Sequence, residues 1–264
     1  MKDIQNALDR RRIPIRKVGI KDLEYPITVL DRHNKTQPTT ARVNMYVNLP
    51  HEFKGTHMSR FVEILNAHRG RISVGDINDI LASMLRVFQS KTAHMEVRFP
   101  YFVEKSAPVS GAKSLMSYDC ALLAGAEARG RGTKLDLVVE ARVPVTTLCP
   151  CSKALSRRGA HNQRSAITIG VRSKRLVWIE ELIDIAESVA SAPVYALLKR
   201  SDERYVTEKA YANPRFVEDV VRGVAGRLRK DPRILWFRVE SENFESIHNH
   251  SAYAMVESAG SRFQ

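Results

Sequence analysis

The segment VGDINDILASMLRVFQ, residues 74–89, decides how this chain is expected to fold. Its apolar residues recur at intervals of three and four, which predicts an amphipathic helix that covers one face of a sheet. The segment FVEILNAHR (61–69) has the same spacing and predicts a second helix directly before it. Alternating apolar and polar residues predict two strands on each side of this helix pair: ITVLDR (27–32) and ARVNMYVNL (41–49) before it, HMEVRFPYFVEK (94–105) and SLMSYDCALLAGAEA (114–128) after it.

The second half of the chain repeats this order of elements. Strand patterns occupy residues 133–148, 165–173, 233–244 and 251–258, and helical patterns occupy residues 177–199 and 213–230. Pro193 is expected to kink or end the first of these helices. Asn213 is expected to cap the second helix, with Pro214 at its first position.

The repeated order predicts an α+β protein of two tandem ββααββ modules. Each module would be an antiparallel four-stranded sheet with a helix pair on one face. We place the modules at residues 25–130 and 131–264, after a basic N-terminal arm at residues 1–24. Such a sheet has open edge strands, and we expect oligomerisation to close these edges into a barrel.

The charge of the chain is concentrated in two places. In total, 42 Lys and Arg residues stand against 29 Asp and Glu residues, a formal net charge of +13. Residues 149–179 hold seven basic residues and no acidic one, and residues 1–20 hold six basic and two acidic ones. The composition excludes a disordered chain, and no apolar run is long enough to span a membrane. Three cysteines are too few for a disulfide framework, so a reduced, cytoplasmic setting is expected.

The segments TTLCPCSK (146–153) and GAHNQRS (159–165) form the first candidate site. Cys149 ends a predicted strand, and His161 follows in a basic loop that contains glycine. Thiolate and imidazole are good ligands for a metal such as zinc. The same pattern fits two buried structural thiols, Cys149 and Cys151, and a surface histidine, and spacing alone leaves both interpretations open.

The segment ESENFESIHNH (240–250) is the second candidate site. In an extended backbone His248 and His250 point to the same face, and Glu245 lies upstream in the predicted turn. A cluster of acids and imidazoles on strands is typical of a site. A polar hairpin tip is the alternative interpretation.

Other polar segments are less specific. SDERYVTE (201–208) is interpreted as a solvated connection between two helices, and Glu218 as a surface residue of the following helix. His57 stands at a helix start beside Arg60, which fits either an anion site made by outward-pointing amides or a simple cap. The chain has neither a P-loop nor a strand-linked dinucleotide fingerprint.

Five segments together resemble the GTP cyclohydrolase I type IB family, in the family's order: KGTHMSRFVE (54–63), TTLCPCSK (146–153), GAHNQRS (159–165), KRSDERYVTEKAYANPRFVED (199–219) and ESENFESIHNHSAYA (240–254). The resemblance implies the tunnelling fold (T-fold), with two modules per subunit that oligomerise into barrels, typically as a homotetramer. It also implies a hydrolase acting on a cyclic amidine C–N bond.

The resemblance assigns the metal ligands by motif to Cys149, His161, Glu203 and His248. It therefore replaces the interpretation of Glu203 as a solvated residue. The implied cofactor is a divalent metal, zinc or manganese, with iron as a further option. The implied catalytic residues are Cys149, His248, His250 and Glu218.

The implied reaction converts GTP and water to 7,8-dihydroneopterin 3′-triphosphate and formate, the first step of tetrahydrofolate and pterin biosynthesis. A carboxylate can accept two parallel hydrogen bonds from guanine, and Glu245 is our first choice for this role, with Glu242 second. Cations must bind the triphosphate. The remaining substrate contacts are assigned to Lys153, Arg157, Arg158 and Arg164, and to His57 and Arg60 of a neighbouring subunit.

Two alternatives remain open at this point. The first is a related cyclohydrolase whose product is a cyclic phosphate of dihydroneopterin. The second is a basic nucleic-acid-binding protein with a structural metal, which the net charge of +13 suggests. Aromatic residues make up 7% of the chain and are not interleaved with the basic segments, which argues against stacking on bases. We therefore expect neither nucleic acid nor a membrane as a partner.

Overall fold

The computed structural model describes residues 8–68, 74–130 and 132–259. The chain divides into two compact units. Met1–Phe99 and Ala121–Val138 make up most of the first unit, and Pro100–Cys120 and Val139–Arg262 make up the second. The predicted modules, 25–130 and 131–264, stay a prediction. None of the helices in the described residues is long and apolar enough to cross a membrane.

The first half of the chain follows the predicted order of two strands, two helices and two strands. These elements are β1 (Ile15–Asp31), β2 (Lys35–Leu49), α1 (Ser59–Ala67), α2 (Val74–Val87), β3 (Thr92–Ser106) and β4 (Lys113–Arg129). The helices predicted at 61–69 and 74–89 are thus confirmed.

A dense apolar core explains these elements of the first unit. Met45 of β2 pairs with Met95 of β3, and neither side chain is exposed. On the helices, Phe61 and Leu65 are equally buried, and the Phe61 ring stacks on Phe88 with centroids 4.2 Å apart. Full burial of such a side chain stabilises the fold by about 1.5–3 kcal/mol, so the apolar stripes hold the helix pair in place.

The second half of the chain contains nine elements among the described residues. They are β5 (Gly132–Leu148), α3 (Pro150–Leu155), β6 (Asn162–Ser173), α4 (Ile179–Val189), β7 (Ala192–Pro193), α5 (Arg200–Ala212), α6 (Val217–Leu228), β8 (Ile234–Asn243) and β9 (Ala252–Glu257). Strands pair in the order β1-β2-β3-β4-β5-β6-β8-β9, with β7 beside β5. In the second unit α6 contacts α4, β8 and β9, so these helices lie on the sheet.

Strand β1 is longer than predicted. It begins at Ile15 rather than Ile27, so residues 15–24 of the predicted arm are strand. The register between β1 and β2 shifts between Ile15 and Val18 and again between Ile20 and Leu23. Each bulge inserts an unpaired residue and breaks the period of two on which the prediction relied. Residues 1–7 of the predicted arm lie outside the described residues.

The helical pattern over residues 177–199 forms a helix only in its first part, before the Pro193 that was expected to kink or end it. Helix α4 ends at Val189, and Pro193 pairs with Val145 of β5 instead of kinking a helix. Residues before a proline avoid the helical region, which favours the extended β7. The segment 201–208, interpreted as a connection, is the body of helix α5.

The start of α6 was also predicted too early. The helix begins at Val217, and the side chain of Asp219 accepts a hydrogen bond from Phe216 N at 3.0 Å. Asn213 instead ends α5, and its amide donates to Ala190 O at 2.9 Å. The helix start is therefore marked by Asp219, three residues after the cap residue Phe216, rather than by Asn213 and Pro214.

Candidate metal and substrate site

Cys149 lies where β5 ends and α3 begins. Its backbone is extended, and Pro150 occupies the first position of the helix. Its Sγ atom accepts a hydrogen bond from Ser152 N at 3.4 Å. The thiol is free and half-buried, whereas Cys151 is exposed and Cys120 is buried. The short helix α3 was not predicted. Because it begins at Pro150, Cys149 lies at the strand end, whereas Cys151 lies within the helix.

His161 lies beside Cys149 because β6 pairs antiparallel with β5. Leu148 stands opposite Asn162 in the register, so the residues just beyond this pair are neighbours. Cys149 N donates to His161 O at 3.2 Å, and His161 N donates to Ser152 Oγ at 3.1 Å. These bonds close the loop between the two residues. The structure therefore places the backbones of the two residues that the sequence singled out side by side.

A buried polar chain, which the sequence analysis missed, runs inward from His161. Gln163 Oε1 lies 3.1 Å from His161 Nδ1, and Gln163 Nε2 donates to Thr147 Oγ1 at 2.9 Å. Thr147 Oγ1 in turn lies 2.6 Å from Ser165 Oγ. Gln163 is 6% exposed, and the other two side chains are fully buried. Polar residues at every second position from 161 to 165 were the available signal, since they share one face of the strand.

Glu245 reaches the same place from the end of β8. Its Oε2 atom lies 3.8 Å from His161 Nδ1, and the two side chains are only 12% and 13% exposed. Phe244 N donates to Arg164 O at 3.0 Å, which extends the pairing of β8 with β6 and fixes the turn. Cys149, through its backbone, and Glu245, through its carboxylate, therefore both neighbour His161 in the second unit, and these three residues are called the cluster below.

The remaining predicted metal and catalytic residues lie at exposed positions. Glu203 is in the first turn of α5, and Glu218 is in the first turn of α6. His248 and His250 stack with ring centroids 5.1 Å apart in the turn before β9. Within residues 8–68, 74–130 and 132–259, no three His, Cys, Asp or Glu side chains stand close enough to hold an ion.

The donor chemistry of the cluster nevertheless fits a divalent metal. Cys149 offers a free thiol, and His161 offers an imidazole whose Nδ1 already faces an amide oxygen. A histidine ligand of a metal commonly has its other ring nitrogen engaged in this way. The full set with Glu203 and His248 stays a prediction.

The predicted substrate cations differ in their surroundings. Lys153 Nζ donates to Tyr211 O at 2.6 Å and lies 4.5 Å from the centroid of the Tyr211 ring, which ties α3 to the end of α5. Arg157 and Arg158 are exposed in the loop after α3. Arg164 alternates with Gln163 on β6 and therefore faces the other side of the sheet.

Glu242 also faces away from the cluster. It pairs with Ala166, on the face of β6 opposite Gln163 and Ser165. Its Oε2 atom lies 3.7 Å from Arg142 Nη2, and both side chains are more than one-third exposed. Of the two predicted guanine carboxylates, Glu245 is the one that the structure places beside His161.

His57 and Arg60 belong to the first unit and line a cavity there. The cavity has a volume of about 340 Å³, and its walls include Phe53 and Phe88. Arg60 N donates to His57 O at 3.2 Å at the start of α1. The combination of a guanidinium, an imidazole and aromatic walls can accept an anion with an apolar or aromatic part.

Helix α5 is anchored by a fully buried carboxylate next to Glu203. Asp202 accepts hydrogen bonds from Val109 N (2.8 Å), Ser110 N (2.8 Å), Ser110 Oγ (2.6 Å) and Lys199 N (2.9 Å). Burial alone would raise the pKa of Asp202, but these donors outweigh it and hold the pKa below its usual value. The anchor fixes the helix turn that carries Glu203.

The buried side chain of Lys105 holds the segment before α5. Lys105 Nζ lies 2.5 Å from Glu187 Oε1 and 2.8 Å from Val194 O. The Tyr118 hydroxyl donates to the same Glu187 oxygen at 3.0 Å. Burial lowers the pKa of Lys105, and the neighbouring Glu187 carboxylate partly opposes this effect.

The chain is similar to known proteins over nearly its whole length. The family model described as "Type I GTP cyclohydrolase folE2" matches residues 1–254. A GTP cyclohydrolase FolE2 of Pelobacter propionicus is 57% identical over 257 residues, which cover 97% of this chain and 98% of the relative. A GTP cyclohydrolase FolE2 of Geobacter sulfurreducens is also 57% identical, with the same coverage.

Solved structures of low sequence identity share the fold. The urate oxidase of Bacillus sp. TB-90 has a TM-score of 0.58 at 10% identity and covers 94% of this chain and 100% of its own. The uricase from Bacillus fastidious has a TM-score of 0.57 at 8% identity and covers 92% of each chain. The antiparallel α+β architecture is therefore shared with tunnelling-fold proteins of the uricase type.

Proposed function

Because the chain belongs to the type I GTP cyclohydrolase family FolE2, we propose that it converts GTP and water to 7,8-dihydroneopterin 3′-triphosphate and formate. This hydrolysis of a cyclic amidine C–N bond begins pterin and tetrahydrofolate biosynthesis. The nearly full-length match to FolE2 relatives carries the proposal. The placement of Cys149 beside His161 supports it, because the cyclohydrolase motifs require these two residues to act together.

Cys149 and His161 are the residues that would hold a divalent metal, with Glu203 and His248 as the further ligands implied by the motifs. Zinc or manganese is the proposed ion, with iron as a further option. When bound, such an ion lowers the pKa of a water molecule and supplies hydroxide at neutral pH.

The reaction adds water at C8 of guanine and breaks the C8–N9 bond, which leaves a formyl group on N7. A second water breaks the C8–N7 bond and releases formate, and after the ribose has rearranged the new ring closes with loss of one water. Opening the ring requires protons to be delivered to guanine N7 and N9 and removed from the added hydroxyl group. His248 and His250 are proposed to carry these protons, since imidazoles exchange protons near neutral pH. Glu218, in the first turn of α6, is proposed as a further acid–base group.

Glu245 is the proposed carboxylate for guanine N1–H and the exocyclic amine. Its low exposure supports this role, because hydrogen bonds to a charged group are stronger where solvent is excluded. Glu242, the second choice, is less suited because it faces the other side of the sheet beside Arg142.

The triphosphate is proposed to bind cations of the segment around Cys149: Lys153, Arg157, Arg158 and Arg164. His57 and Arg60 of a neighbouring subunit complete the proposed substrate contacts. The cavity that they line in the first unit supports this assignment.

The proposed assembly is a homotetramer in the cytoplasm, with sheets that close into barrels across subunits. The free thiol of Cys149 supports a reducing setting, because oxidation would remove it as a ligand. The mass of the particle in solution, measured by light scattering during size-exclusion chromatography, tests the tetramer.

Purified protein loaded with Mn²⁺ or Zn²⁺ should convert GTP to a pterin that fluoresces after oxidation. Cys149→Ala should abolish turnover without unfolding the protein, and Cys151→Ala, which removes the exposed thiol of the same motif, should retain turnover. Mass spectrometry of the product distinguishes the linear triphosphate from a cyclic phosphate. A metal-loaded wild-type protein that leaves GTP intact would refute the proposal.

A further inference from the structure

The buried chain inward from His161 has a defined hydrogen-bond direction. Thr147 and Gln163 stand directly opposite each other in the β5–β6 register, so their side chains share the covered face of the sheet. Gln163 Nε2 lies 2.9 Å from Thr147 Oγ1 and donates to it. The amide oxygen of Gln163 must then face His161 Nδ1, from which it is 3.1 Å away.

An amide oxygen only accepts hydrogen bonds, so Nδ1 of His161 must carry the proton. Glu245 supports the same conclusion independently. Its Oε2 atom lies 3.8 Å from Nδ1. If Nδ1 carried a lone pair instead of a proton, that lone pair would face a carboxylate. If the Gln163 amide were rotated by half a turn, its NH2 group would donate to Nδ1, and Nδ1 would then have to carry a lone pair. The position of Glu245 therefore selects the orientation in which Gln163 accepts and His161 donates.

We propose that Gln163, oriented by Thr147, is a positioning residue that holds His161 in its Nδ1–H tautomer and keeps the lone pair on Nε2. The tautomer is a property of the chain itself. Its consequence for metal binding rests on the proposed function, because Nε2 is then the nitrogen available to the ion. Partners of this kind orient a histidine ligand and typically change metal affinity by about 10–100-fold when they are replaced.

Three substitutions separate the parts of this arrangement. Gln163→Leu removes both the acceptor and the donor at similar volume. Gln163→Glu retains an oxygen toward His161 and should restore most of what Leu loses. Thr147→Val removes the hydroxyl that orients the amide and should have an intermediate effect. Thr168→Val on the same strand is the matched control, since Thr168 is on the opposite face of β6 from Gln163.

The first measurement uses metal-free protein labelled with ¹⁵N-histidine. Solid-state ¹⁵N spectra distinguish protonated from bare ring nitrogens, and comparison with His161→Asn assigns this residue among the eight histidines. We expect a protonated Nδ1 and a bare Nε2 in the wild type, and a mixture of tautomers in Gln163→Leu. A wild-type spectrum with a protonated Nε2 and a bare Nδ1 at His161 overturns the proposal, even if no Gln163 or Thr147 variant folds.

The second measurement is the affinity for Mn²⁺ or Zn²⁺, determined by competition with a chelating dye. Gln163→Leu should weaken binding by about 10–100-fold, Gln163→Glu should bind within a few-fold of wild type, and Thr168→Val should match wild type. Folded Gln163→Leu with wild-type affinity and a wild-type spectrum would overturn the proposal. Wild type that has the expected tautomer but does not consume GTP would instead count against the proposed function alone.

Discussion

Replacing Lys105 with Met tests how the second unit holds the segment that leads into α5. Lys105 Nζ lies 2.5 Å from Glu187 Oε1, 2.8 Å from Val194 O and 4.3 Å from the centroid of the Tyr195 ring. The side chains of the ion pair are each 14% exposed, so solvent and salt screen them weakly. Met fills the space of the Lys stem but leaves Glu187 as a buried carboxylate with the Tyr118 hydroxyl as a donor.

The expected loss is large because one charge of a buried pair would remain uncompensated. Removing one partner of such a pair typically costs about 3–5 kcal/mol, whereas replacing both with apolar residues is often nearly neutral. At about 2–4 °C per kcal/mol for a chain of this size, Lys105→Met should lower the melting temperature by roughly 6–20 °C. The double variant Lys105→Met/Glu187→Leu should recover most of that loss.

Lys113 provides a matched control for the same chemistry at the surface. Its Nζ lies 2.8 Å from Glu104 Oε1, but these side chains are 65% and 60% exposed. Lys113→Met should therefore leave the free energy of unfolding close to that of wild type. Urea and thermal denaturation of the metal-free protein measure all four forms. A loss below about 1 kcal/mol for Lys105→Met, or no recovery in the double variant, would refute the reasoning.

Three further predictions follow from individual contacts. The pKa of Asp202 is lower in the folded chain than its usual 3.8, so its carboxylate stabilises the fold above that pH and this contribution fades as the pH falls below it. The difference in unfolding free energy between wild type and Asp202→Asn, measured in urea, should therefore shrink from pH 7 to pH 3. Glu245→Gln should raise KM for GTP by about 10–100-fold through lost charge-assisted hydrogen bonds, and a fall in kcat at unchanged KM would instead indicate proton transfer. Gly19→Ala should destabilise the fold in urea denaturation, because the added Cβ would meet Met45 O at 1.9 Å. The control Gly226→Ala places its Cβ in a helix with nothing within 4 Å, so it should be neutral or stabilising by up to about 1 kcal/mol.

Sequence patterns predicted the elements whose stability comes from burial along their whole length. The helix pair α1 and α2 has a continuous apolar stripe, and Phe61 and Ile80 on it are fully buried. Helix α5 lacks such a stripe, since only Asp202 and Ala210 of its residues are buried. Its stability depends on contacts at its ends, and these involve distant residues that a local window does not contain.

For the site, the sequence singled out candidate residues better than it indicated which side chains support them. Cys149 and His161 could be named as candidates because thiolate and imidazole are common metal ligands, and their role in a metal site stays a prediction. Gln163 and Thr147 were missed because an amide and a hydroxyl on strands are individually ordinary. Their importance arises from the pairing of β5 with β6, which places them opposite each other beneath His161.

The backbone of Leu148 explains how residues far apart in the chain reach one site. Leu148 N donates to Ser191 Oγ at 3.0 Å, and Leu148 O accepts from Arg215 N at 3.0 Å. Ser191 precedes α5, whose first turn carries Glu203, and Arg215 precedes α6, whose first turn carries Glu218. Cys149 directly follows Leu148. The backbone of Leu148 therefore connects the end of β5, next to the thiol, to the segments that lead into α5 and α6.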